Sequence, residues 1–440
     1  MLGKIFTFSL PLIASGVLQQ SFNAVDVAIV GHFSTSEAMA GVGSNGPVIS
    51  ILVALFLGIA VGANVVIAYH IGRGDKESIR RSISTVGVIA IVSGVLLACI
   101  GVPLAKPILQ LMNAPDEVLD MAVTYLSIYF AGMPFIMIYN FGSAILRSMG
   151  DTKLPFYSLL IATVTNFILD IVFVGPLNTN VAGAAGTTVF SNALNAGIVV
   201  WFLYKEPDPY TLRLKHLRIS KPDLKKMLRI GIPAGLQGMV FSISNIFIQS
   251  TINGFGAAAI AGSAAALTYE AYCYYIVAAF SQAAIAFTGQ NYGARKPDRC
   301  RRVFGICMMY STVLCALCNI LIVVNGPSCL SLFTADPQVL HYALIRFNTV
   351  LLFQSIASTY EISSGYMRGL GYSMLPMILT IFGTCVLRLG WIYFVPETHT
   401  DFHVLLDIYP ITWTLTGVLV LTAAFIVQHR VFRRLSLSGN

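Results

Sequence analysis

The chain has 440 residues, of which 56% are hydrophobic and 10% charged. Those proportions exclude a row of water-solvated domains, which would need far more charge on their surfaces, and leave lipid as the solvent. The formal charge of +8 would suit a nucleic-acid partner, so the placement of the basic residues has to decide between the two.

A helix needs about 20 apolar residues to cross the hydrocarbon core. Twelve such stretches follow one another at 5–33, 39–70, 82–104, 118–146, 154–175, 181–204, 226–254, 258–291, 303–325, 338–367, 375–396 and 406–430. The expected fold is therefore an all-α polytopic membrane protein with twelve transmembrane helices. Pro11, Pro47, Pro134 and Pro233 fall inside spans and predict kinks. The first span carries Asp26, and no mature soluble domain follows a small-residue cleavage site behind it, so it is expected to be a retained helix rather than a signal peptide. Gly58 and Gly62 form a G-x-x-x-G that predicts close helix packing. The eight cysteines show neither metal-ligand nor disulfide spacing, and Cys315 and Cys318 read as small apolar side chains of one helix.

Lys and Arg alternate sides along the chain. All 27 except Lys106, Arg346 and Arg388 fall at the chain ends or around one set of inter-span segments. The opposite segments keep acids, among them Glu37, Asp116, Glu117, Asp120, Asp336, Glu397, Asp401 and Asp407. The positive-inside rule then places both termini in the cytoplasm of a cell inner membrane. The charge is topological, which sets the nucleic-acid reading aside. Residues 205–225 form the longest polar stretch, a cytoplasmic linker between lobes 1–204 and 226–440 that lies partly on the anionic leaflet.

The two lobes are related by a repeat. At an offset of 222, Pro11, Gly16, Asn23 and Phe33 fall on Pro233, Gly238, Asn245 and Phe255. At 221, Gly41, Gly72, Arg80 and Arg81 fall on Gly262, Gly293, Arg301 and Arg302, and Ala114, Val118, Leu119 and Ala122 on Ala335, Val339, Leu340 and Ala343. Arg147, Gly150, Leu154 and Pro155 continue the series on Arg368, Gly371, Leu375 and Pro376. Six spans per half make the repeats parallel, a plan found in alternating-access transporters.

Ionisable groups inside spans are costly and point to function. Asp26 lies about 10 Å from the outer end of its span at a rise of 1.5 Å per residue. Asp170 and Asn166 of the fifth span, Thr188 of the sixth and Tyr125 of the fourth come to nearly the same layer. Two carboxylates brought close repel, so such a pair holds a proton or accepts a cation, the chemistry of an ion-coupling site. The offset puts Ile248, Trp391 and Leu387 at the positions of Asp26, Asp170 and Asn166, so this layer belongs to one half. In the other half Glu270 and Arg388 fall near mid-depth, where they read either as a structural ion pair or as a substrate or gating pair. The rings of the YEAYCYY run around Glu270 would suit an organic cation. Asn140 and Glu361, equivalent by the repeat, fall toward the cytoplasmic side and are expected at an inner gate. No Walker A sequence, catalytic constellation or metal cluster is assembled, so the chain is not expected to be an enzyme and its energy must come from an ion gradient or a partner subunit.

The runs LPLIASGVLQQSFNAVDVAIVGHF, AGVG, IGRGD, SAILRSMGDTKLP, GQNYGARK and MRGLG together resemble the multidrug and toxic compound extrusion (MATE) family over essentially the whole chain. The resemblance implies a cation-coupled antiporter that exports small organic, often cationic, compounds against a proton or sodium gradient. It needs no cofactor beyond the coupling ion, H⁺ or Na⁺, and is expected as a monomer in membrane lipid. It also assigns Asp26 of NAVD, Asn166 and Asp170 of NFILD, and Thr188 to an N-lobe carboxylate site that would hold either ion. Helix 7 lacks the acid used by other members, Glu361 matches only loosely the acid of their helix 10, and Tyr372 replaces the Asp expected after MRGLG. A flippase for a lipid-linked saccharide is the alternative function. It predicts a cationic cavity and often extra helices, whereas acids stand inside these twelve spans.

Overall fold

In lipid, every backbone N–H and C=O has to bond within its own segment, so apolar runs of this length fold as helices. The computed structural model describes residues 1–33, 35, 38, 42, 45–111 and 116–437, with residues 23–27, 31, 47, 111, 116, 117 and 216 described by backbone alone. Glu37, Gly41 and Ala114 lie outside the described residues, as does the side chain of Asp26.

The spans are α1 (Leu2–Phe33), α2 (Gly46–Arg73), α3 (Lys76–Leu111), α4 (Asp116–Ala131 continued as Met133–Met149), α5 (Lys153–Val174), α6 (Asn180–Lys205), α7 (Lys221–Asn253), α8 (Ala257–Gly293), α9 (Pro297–Val324), α10 (Pro337–Gly369), α11 (Met374–Phe394) and α12 (Phe402–Leu437). Eleven are long and apolar enough to cross a membrane, and α4, bent by 48°, makes the twelfth. That bend falls where Pro134 starts the second segment. Pro11 and Pro233 lie inside α1 and α7. Pro47 does not kink a span: α2 begins at Gly46 rather than at 39, so Pro47 occupies its first turn, where the missing N–H breaks no helical bond.

Contacts divide the chain into one unit of Ala14–Gly235 and another that joins Met1–Ile13 to Leu236–Asn440. Span counting separates the lobes at the linker, whereas backbone proximity assigns the start of α1 to the second unit and the start of α7 to the first. Within the first unit, Gly58 and Gly62 of α2 meet Gly231 and Gly235 of α7. A Cβ on Gly58 would overlap the Gly235 backbone and stand 2.6 Å from the Gly231 carbonyl oxygen, and one on Gly62 would stand 2.9 Å from the Gly231 nitrogen. The G-x-x-x-G thus serves close packing within the chain, as its spacing predicted.

Helix α11 is not regular. It runs as α-helix to Thr380, widens into a π turn over Ile381–Val386, and resumes at Leu387. There the Leu387 N–H bonds to the carbonyl of Phe382, five residues back. A π turn takes in one extra residue, and burial records the shift. Pro155, Leu159, Ala162 and Asn166 are buried on α5, and Pro376, Thr380, Gly383 and Arg388 on α11. The offset is 221 through Gly383 and 222 afterwards. Arg388, rather than the Leu387 assigned by a constant offset, therefore holds the buried place of Asn166.

Candidate functional site

Asp170 lies four residues before the end of α5 and is fully buried. Its Oδ1 accepts a hydrogen bond from the hydroxyl of Thr187 on α6. Thr188 is buried one residue on, and its hydroxyl bonds to the Ala184 carbonyl at 2.8 Å. Sequence reasoning singled out Thr188 and missed Thr187, although the Thr-Thr pair was in view. Depth separates neighbouring residues by only about 1.5 Å, while the turn of about 100° between them decides which one faces α5. Asn166, one turn below Asp170, is buried, and neither amide atom has a hydrogen-bond partner among the described residues. Tyr125 stacks on Tyr129 with centroids 6.1 Å apart and shares an apolar cluster with Ile29, Val30, Val174, Ala184 and Ala185. Residues from α1, α4, α5 and α6 thus share one cluster, in which Val174 lies one turn from Asp170 and Ala184 one turn from Thr187 along their helices. Asp26 belongs to α1 by its backbone, and its side chain lies outside the described residues.

The second unit contains a cavity of about 390 Å³ among α7, α8, α10, α11 and α12. Glu270 lines it, but both of its oxygens are engaged by Arg346, from Nε at 2.6 Å and from Nη2 at 3.1 Å. The ion pair is therefore Glu270–Arg346, not Glu270–Arg388. It also neutralises the carboxylate that the YEAYCYY run was expected to offer to an organic cation. Gln354 steadies the pair's helix by donating to the Glu270 carbonyl at 2.8 Å.

Arg388 is completely buried and lines the same cavity. Its Nε bonds to the Thr412 hydroxyl at 3.2 Å, and Nη1 and Nη2 have no hydrogen-bond partner among the described residues. Its guanidinium carbon stands 4.5 Å from the Tyr409 ring centre, 5.6 Å from Phe241 and 5.9 Å from Trp413.

Elsewhere in the same unit, the Glu361 carboxylate accepts from the Tyr274 hydroxyl at 3.2 Å, and Arg368 donates to Gln237 at 2.7 Å. Asn140 in the other unit bonds within its own helix, to the Ile136 carbonyl at 2.8 Å. The repeat thus keeps these positions polar but gives them different partners. Among the described residues, no three His, Cys, Asp or Glu side chains gather as a metal site.

The MatE family model matches residues 11–172 and again 233–394, once in each half. "Probable multidrug resistance protein YoeA" of Bacillus subtilis is 29% identical over 387 residues, 85% of this chain and 82% of that protein. "Probable multidrug resistance protein NorM" of Thermotoga maritima is 27% identical over 394 residues, 88% of this chain and 84% of that one. Among solved structures, MATE in the straight conformation superposes with a TM-score of 0.90 at 24% identity, covering 98% of this chain and 96% of that chain. An outward-facing MATE transporter of the MOP superfamily gives 0.89 at 24%, covering 97% and 96%.

Proposed function

Because this chain belongs to the MatE family, the multidrug and toxic compound extrusion transporters, we propose that it is a cation-coupled antiporter that exports small organic compounds by alternating access. Its relatives are named for multidrug resistance and export, which supports the substrate class. The observation that carries the coupling is the buried Asp170 carboxylate, one turn from the C-terminal end of α5 and hydrogen-bonded to Thr187. A buried carboxylate exchanges a proton or binds a cation at lower cost than it stays charged and alone.

Position 26 lies one helical turn from Ile29 and Val30, which pack with Tyr125 and Ala184. In this reading Asp26 and Asp170 hold the coupling ion, H⁺ or Na⁺, while Asn166, Thr188 and Tyr125 complete the layer. Ion entry from outside favours the outward-facing state with low solute affinity, and solute binding from inside favours the other. Exchange is coupled only because each ligand binds the two states unequally. The basic segments support a cell-membrane protein with both termini cytoplasmic.

The test is efflux of norfloxacin or ethidium from energised vesicles. D26N and D170N are each expected to lower gradient-driven efflux at least about tenfold, the loss of one charge-assisted interaction. Unchanged efflux in both variants at equal protein level would remove the N-lobe carboxylates from the mechanism.

A further inference from the structure

We propose that the cavity of the second unit binds the anionic end of a small aromatic acid, a carboxylate or sulfonate, with Arg388 as the receiving group. The binding stands on the cavity alone; only the export of what binds rests on the antiport reading.

The charge count gives the sign. Of the three charged residues that line the cavity, Glu270 and Arg346 neutralise each other through two hydrogen bonds. Arg388 is left as one positive charge with no carboxylate paired to it among the described residues. A guanidinium kept from water is costly without an anion beside it, and its planar fork of donors matches the two oxygens of a carboxylate.

The donor count agrees. Nη1 and Nη2 of Arg388, Nη1 of Arg346 and Nε1 of Trp413 are buried N–H donors without a hydrogen-bond acceptor among the described residues, whereas Gln354 Oε1 is the one unpaired buried acceptor on the cavity wall. Such a wall accepts an anion and repels an ammonium.

Shape supplies the rest of the ligand. Phe241, Tyr274, Tyr360, Tyr409 and Trp413 line the cavity, and its roughly 390 Å³ suits a drug-sized molecule. The rings of Tyr409, Phe241 and Trp413 surround the Arg388 guanidinium, with its carbon over each ring at 4.5, 5.6 and 5.9 Å, a cation–π cradle that supplies no oxygen acceptor. The position is also built into the scaffold, because Arg388 occupies the buried place that Asn166 holds in the other lobe. The duplicated helix presents an amide there beside Asp170 in one lobe and a cation in the other.

The chain has three tryptophans, and Trp413 lines the cavity, so W201F/W391F makes it the sole reporter. Its fluorescence is titrated in detergent, with no gradient, using 4-nitrobenzoate, 4-nitrobenzyl alcohol and 4-nitrobenzylammonium, which share a quenching ring and differ in charge. The anion is expected to bind at least about tenfold tighter than the ammonium. R388Q should weaken the anion about tenfold or more and the alcohol less than about threefold, with R388K between wild type and R388Q. Retained alcohol binding shows that each variant is folded, and should R388Q fail that check, R388K carries the comparison.

Equal or tighter binding of the ammonium, or an unchanged nitrobenzoate affinity in the folded variant, overturns the proposal. Displacement of nitrobenzoate by equimolar short-chain phosphatidylglycerol also overturns it, in favour of a lipid headgroup. A protein that binds nitrobenzoate yet drives no solute flux in vesicles keeps the site and removes the antiport reading. One that exports norfloxacin with nitrobenzoate binding indifferent to Arg388 does the reverse.

Discussion

Truncating Glu270 alone would leave the Arg346 guanidinium buried without its carboxylate, a change that costs about 3–5 kcal/mol in other buried pairs. Removing both partners takes the charge and its counter-charge away together. E270A is therefore expected to lower the unfolding temperature in detergent steeply, and E270L/R346M to recover most of it; equal losses would mean that the pair contributes little. A second prediction belongs to Asp75, just before α3. The Ser78 N–H at 3.1 Å, joined by the Ser78 hydroxyl at 2.8 Å, holds its carboxyl below the ordinary value of 3.8. Such a group stabilises the fold above its unfolded value and stops doing so as pH falls through its folded one. The difference in unfolding temperature between wild type and D75A should thus be full at pH 7 and shrink below pH 3.8. At this scale the sequence revealed which residues were unusual but not whom they face. Counting from a span's end fixes a layer and leaves azimuth open, which is why the sequence marks Glu270 and Asp170 but not the bonds of Glu270 to Arg346 and of Thr187 to Asp170.

Helices α2 and α7 approach backbone to backbone because Gly58, Gly62, Gly231 and Gly235 carry no side chain at the crossing. Inserting a methyl group there forces the helices apart, and overpacking of this kind typically costs 1–3 kcal/mol or more, so we expect about that loss for G58A. Gly197 of α6 has nothing within 4 Å of the place its Cβ would take. G197A should therefore be tolerated, with a helix-propensity gain of up to about 1 kcal/mol in its favour. Thermal unfolding of the two variants side by side checks both, and equal stability would refute the seam. Helix existence was legible throughout, since lipid leaves the backbone no other choice. The start of α2 was not, because Gly46 and Pro47 are apolar enough to extend a hydrophobic window while standing at a helix N-terminus.

The MatE pattern occurs once in each half, and each half supplies six spans, so the duplication seen in the sequence is the plan of the molecule. Its two copies have parted in chemistry: an uncharged amide and a carboxylate near the C-terminal end of α5, and a guanidinium on α11. Whether protons or sodium ions drive the cycle is tested by imposing ΔpH and ΔNa⁺ separately on proteoliposomes. One gradient alone is expected to drive efflux in wild type, and D170N should abolish the response to that gradient. The wide turn at Ile381–Val386 has a further consequence for how this chain tolerates change. In an ordinary helix, losing one residue swings everything beyond it by about 100°. In α11 the helix already carries a spare residue, stored as slack in its winding. Deleting the exposed Phe382 should let the winding close to regular α-helix with Arg388 still turned inward, whereas deleting the equally exposed Ile168 from α5 would swing Asp170 out of its buried place.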